Sequence, residues 1–92
     1  VYNCCEPGVA AREAAKLGRQ PLAPFGAPVS GDVAIERRLY VLCTKDHSIP
    51  PALQRRMVRE RGITDVVELD ADHAPMLSRT EELVAALDRF AR

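Results

Sequence analysis

This chain lacks a net charge, a long apolar run, a spaced cysteine pair and a starting methionine, and each absence narrows what it can be. Lysine plus arginine number 13 and aspartate plus glutamate number 13 in 92 residues, so no net field draws the chain to phosphate backbones or anionic lipid. Nucleic acid and membrane partners are disfavoured on that ground. Most of the arginines, Arg55, Arg56, Arg59 and Arg89 among them, fall on expected wet faces of helices and read as solvated surface. No apolar run approaches the roughly 20 residues that span a bilayer. The start, Val1-Tyr2-Asn3-Cys4-Cys5-Glu6, has no basic flank leading into a greasy segment. The missing methionine is expected of a chain that begins inside a longer one. The length allows one small domain at most, burying roughly 60 to 70% of its unfolded surface.

The three cysteines, Cys4, Cys5 and Cys43, include no C-x-x-C spacing, and the adjacent pair would need a strained ring to bond to itself. An odd count of this kind predicts free thiols, a reducing compartment and hence the cytoplasm. Cys43, inside an apolar run, reads as a small buried hydrophobe. Asp70, Asp72 and His73 are chemically able to hold a divalent ion, but a single histidine with no second ligand cluster argues against a metal site. No cofactor is called for.

Along the chain, Glu6-Pro7 opens an alanine-rich helical stretch to about Leu17, with Pro at the first turn and Gly18 past the end. Pro21, Pro24, Gly26 and Pro28 then break any period, and Leu22 and Phe25 predict an irregular connector that packs on something. Arg37 to Thr44 reads as an apolar strand of the interior, parallel-sheet type. Pro51 starts a helix to about Arg61, with Leu53, Met57 and Val58 facing inward, and Gly62 ends it. Val66 to Leu69 is a second strand, Ser78-x-x-Glu81 a capping box, and Leu83, Val84, Leu87 and Phe90 the apolar face of a terminal helix.

Strand, helix and strand with short connections predict parallel strands joined by a right-handed crossover, whose ends open on one edge. Asp46 follows the first strand and His73 the second. Strand ends are where open α/β sheets place their chemistry, and one crossover helix plus one strand separates the two residues. Their side chains are therefore expected to meet above the sheet as acid and base. His47, one residue past the acid, has no such role and is expected to be exposed.

The runs Val41-Leu42-Cys43-Thr44-Lys45-Asp46-His47-Ser48-Ile49-Pro50 and Asp70-Ala71-Asp72-His73-Ala74-Pro75-Met76-Leu77-Ser78 resemble the C-terminal part of an α/β-hydrolase. They are most similar to the group of plant methyl-ester esterases, hydroxynitrile lyases and their bacterial relatives. The resemblance covers nearly the whole chain. It implies an α/β fold in which residues 1–30 form the end of a helical cap and a connector. Residues 31–92 would then supply the last two parallel strands, the crossover helix and the terminal helix of the core.

The resemblance further implies that Asp46 is the acid and His73 the general base of a Ser-Asp-His triad, with Asp72 completing the usual Asp-His pair. Met76 and Leu77, just beyond His73, are candidates to line an acyl or alcohol pocket, with plain core packing as the alternative. The expected substrate is a small or medium apolar ester. Ala74 stands where the lyases carry a lysine after the histidine, which favours esterase over lyase. Thr80 stands where the esterases commonly carry proline, and as a capping residue it disturbs local geometry little.

None of Ser30, Ser48 and Ser78 lies in a G-x-S-x-G elbow, so the nucleophile and the oxyanion hole are expected upstream of Val1, and the chain alone is expected to be inactive. Two other readings stand beside this one. One is a dehalogenase, lyase or epoxide hydrolase on the same fold. The other is a non-catalytic α/β interaction module whose open sheet edge a partner completes. Among partners, a homodimer is the protein assembly expected.

Overall fold

A computed structural model describes residues 1–29, 31 and 34–92. Helix α1 (Pro7–Ala14) starts with Pro7 in its first turn, where a missing N–H costs nothing, and the Glu6 carbonyl accepts the Ala10 N–H. It is shorter than expected. Past Ala14 the chain tightens into i→i+3 bonds, Lys16 N–H to Glu13 O and Leu17 N–H to Ala14 O. A single turn, α2 (Ala23–Gly26), occupies the stretch expected to be irregular. Leu22 and Phe25 do not pack there: they are 82% and 71% exposed. Ser30, at the edge of the two expected segments, lies outside the described residues.

Strand β1 (Leu39–Cys43) pairs in parallel with β2 (Asp65–Leu69), from Leu39 opposite Asp65 to Cys43 opposite Leu69. Just past β1 the Thr44 N–H bonds Leu69 O, and the chain then turns so that the next amide, Lys45 N–H, bonds Ala71 O. Because Thr44 bonds toward β2, the period of two turns the backbone groups of Leu39, Val41 and Cys43 to the opposite edge. Among the described residues β1 has one strand neighbour rather than the two expected of an interior strand. Leu42 is nonetheless 1% exposed and Cys43 is buried, and enclosing a leucine in this way contributes about 2 kcal/mol.

Helix α3 (Pro51–Arg61) bridges the strands. Gly62 stops it at φ +63°, with its own N–H on Arg59 O and the Ile63 N–H on Val58 O, a closure that requires left-handed backbone and so favours glycine. The inner face of α3 differs from expectation. Leu53 and Met57 are 42% and 39% exposed, Val58 is half-buried, and the one buried side chain is Gln54.

After β2, Asp70 to Ala74 form the second strand-end loop, and α4 (Pro75–Ser78) leads into α5 (Thr80–Ala91). The expected capping box does not form. The Ser78 hydroxyl donates to Asp72 Oδ1 at 3.0 Å, and Arg79 stands at the N-cap of α5 without a side-chain cap bond. A buried carboxylate in need of a donor outcompetes a helix end that water can reach. On α5 the inward stripe is Leu83, Ala86 and Phe90, while Val84 and Leu87 point outward. The Arg37 guanidinium lies 4.4 Å from the centre of the Phe90 ring.

Candidate functional site

Two loops at the same edge of the sheet carry the site. In the first, running from β1 to α3, the Asp46 carboxylate is 5% exposed. Its Oδ1 accepts the N–H groups of Ser48 at 2.7 Å and Ile49 at 2.9 Å, so the loop folds back around the side chain. In the second, His73 follows Asp72 and turns its ring toward β1. Asp46 Oδ2 lies 2.8 Å from His73 Nδ1. With the carboxylate ionised, Nδ1 carries the proton and donates it into that bond, which leaves Nε2 as the basic nitrogen.

Burial pushes the Asp46 carboxyl upward, but the His73 hydrogen bond and the Ile49 and Ser48 amides outweigh it, so the group titrates below the usual 3.8. The imidazole is less enclosed than its partner: the His73 side chain is 45% exposed and that of Asp46 4%. The arrangement is a fixed acid facing a base that a ligand can reach. Such a pair can hold one tautomer of the imidazole and stabilise the imidazolium when it forms.

The other candidates separate. Asp72 is wholly buried, and its oxygens accept the Cys4 N–H at 2.8 Å, the Ala74 N–H at 2.9 Å, the Ser78 hydroxyl and the Cys5 thiol. Here too burial acts to raise the carboxyl and the hydrogen bonds, led by the Cys4 amide, bring it below the usual value. The same contact acts in reverse on Cys5, whose thiol is pushed up by burial and by the Asp72 charge. Asp70 points to solvent between Lys45 and Arg79. Asp70, Asp72 and His73 therefore face three ways, and among the described residues no three histidine, cysteine, aspartate or glutamate side chains gather as metal ligands do. His47 is exposed.

Met76 and Leu77 part company as well. Met76 lines a hollow of about 400 Å³ with Asp46, His73, Ile49, Met57 and Pro75. Leu77 borders a different one, against Cys4, Cys5 and Val9. Sequence reasoning missed Gln54 altogether. The signal was a polar residue on the inner stripe of an amphipathic helix, between Leu53 and Val58.

The sequence pattern of the alpha/beta hydrolase family matches residues 5–86. The chain belongs to that family. Among the proteins this alpha/beta hydrolase chain is similar to is the alpha/beta hydrolase nvfD of Aspergillus novofumigatus, 34% identical over 99% of the chain and 37% of nvfD. Methylesterase 7 of Arabidopsis thaliana is 41% identical over 59% of the chain and 21% of its own length. The crystal structure of the pyrethroid hydrolase PytH with BIF superposes with a TM-score of 0.67 at 41% identity, covering 78% of the chain and 30% of PytH. The chain thus spans well under half the length of the relatives it matches. Its two parallel strands and flanking helices accord with a C-terminal part of that fold. No helix among the described residues is long and apolar enough to cross a membrane.

Proposed function

We propose that this chain is the acid-and-base portion of a serine carboxylic ester hydrolase, with Asp46 as triad acid and His73 as general base. The supporting observation is the 2.8 Å approach of His73 Nδ1 to Asp46 Oδ2 from two parallel strand ends, in the order acid then base. The esterase-like names among the relatives, methylesterase and pyrethroid hydrolase, agree with a carboxylic ester as substrate.

This reading draws the nucleophile from outside these residues: none of Ser30, Ser48 and Ser78 lies in a G-x-S-x-G elbow, and the Ser78 hydroxyl is tied to Asp72 and the Ala74 carbonyl. In the complete site, His73 Nε2 takes the serine hydroxyl proton as the oxygen attacks the ester carbonyl, then returns it to the departing alcohol. Water, activated by the same nitrogen, cleaves the acyl-enzyme. Asp46 stays ionised throughout and holds Nδ1–H in place. Met76 faces the acyl or alcohol part of the ester, while Leu77 lines a separate hollow beside the N-terminal segment, which we assign to the end of the cap. The three free thiols suit a reducing, cytoplasmic setting.

The test is turnover of a small chromogenic ester by the full-length protein and by its His73→Ala variant. Loss of about 10⁴-fold or more in kcat is expected. Retained turnover removes His73, and with it this reading.

A further inference from the structure

Gln54 is the buried side chain of α3, and the chemistry above gives it nothing to do. Its carboxamide is fully engaged. Nε2 donates to Cys43 O at 2.9 Å and to Ile49 O at 2.7 Å, and Oε1 accepts the Cys43 N–H at 2.9 Å, with the Tyr40 hydroxyl at 3.4 Å. Cys43 is the last residue of β1, and Ile49 precedes the Pro50-Pro51 start of α3. One side chain therefore fastens both ends of the loop that carries Asp46.

The connection continues inward from there. The Ile49 N–H is one of the two held by Asp46 Oδ1, and the other oxygen of that carboxylate meets His73. The amide also stands on the edge of β1 away from β2, taking both backbone groups of Cys43 where a further strand would otherwise pair. A methionine or leucine at this position would leave those groups and the Ile49 carbonyl without partners in the interior, and the loop would have to shift to satisfy them.

We propose that Gln54 is a positioning residue: by closing the base of the loop 44–48 it fixes the direction from which Asp46 Oδ2 faces His73 Nδ1. This rests on the acid–base reading of the pair, so its test carries an internal control. In the full-length protein, kcat and KM for a small aryl ester are measured per active site, counted with a phosphonate burst titrant. The variants are Gln54→Met, Gln54→Glu and Asp46→Asn, with both Gln54 changes also placed on Asp46→Asn.

Gln54→Met is expected to lower kcat per titrated site about 10- to 100-fold while KM moves less than about 3-fold. On the Asp46→Asn background the same change adds less than about 2-fold, the non-additivity of two residues acting through one contact. Gln54→Glu keeps the bond from the Cys43 N–H and forfeits the two it donates; it carries the same expectation if Gln54→Met fails to fold. Unchanged kcat per site overturns the proposal. So does a full effect persisting on Asp46→Asn, or the loss of titratable sites in both Gln54 variants, which would make the role one of folding. If Asp46→Asn alone leaves the rate intact, it is the acid–base reading that fails, whatever Gln54 does.

Discussion

Asp46 and Asp72 are two buried carboxylates at two strand ends, and they are put to opposite uses. Asp46 commits one oxygen to its own loop and keeps the other for His73. Asp72 commits both oxygens to structure, to the amides of Cys4 and Ala74 and the Ser78 hydroxyl. Both are held ionised against burial by donors already in place. The difference lies in the last lone pair: an acid that leaves one oxygen for a neighbouring imidazole can orient it, while an acid surrounded by fixed donors can only hold backbone together. On this reading the loop after β1 serves the reaction directly, and the loop after β2 is first made rigid by Asp72 and then presents His73.

The comparison is sharpest if one substitution strikes rate and the other strikes stability. Asp46→Asn in the full-length protein should lower kcat about 10⁴-fold through the wrong imidazole tautomer, with an unfolding midpoint close to that of the parent. A variant that turns over normally would place Asp46 beside Asp72 as a structural acid. Asp72→Ala should lose about 2 to 4 kcal/mol of stability by stranding two amides and a hydroxyl. Urea unfolding measures this, and a midpoint unchanged from the parent would contradict the structural role.

Acid should act on both residues at once. Each titrates below 3.8 in the folded chain, so the unfolded chain takes up protons first as pH falls. Their stabilisation is full above about pH 5 and disappears as pH drops through the folded values. At the alkaline end the Cys5 and Cys43 thiols, raised above 9.0 chiefly by burial, remain protonated in the folded chain while the unfolded chain ionises, so stability declines above about pH 9. Thermal midpoints across pH 2 to 10, at roughly one-unit steps, check both limbs. The smallest effect belongs to Asp70→Asn. Its pairs with Lys45 and Arg79 are solvent-exposed, and stability should stay within about 0.5 kcal/mol of the parent.

Asp46, His73 and the strand–helix–strand that brings them together were legible because order along the chain fixes topology. Two apolar runs, a proline-started helix and Gly62 leave few ways to connect parallel strands. What stayed hidden were the contacts that depend on which polar side chain wins a donor. Asp70 and Asp72 are two residues apart with the same chemistry, yet one faces water and the other is wholly buried. Ser78 looked like a helix cap, and only the presence of Asp72 six residues earlier redirects its hydroxyl. Gln54 was invisible to a pattern of apolar spacing because its partners are backbone atoms eleven and five residues away. Leu22 and Phe25 have no cover among the described residues, and hydrophobicity alone does not say what would cover them.

The bond from the Cys4 amide to Asp72 joins residues 68 apart in sequence, and the residue after Asp72 carries the imidazole. One carboxylate thus sets the register between the first residues of the chain and the backbone on either side of His73.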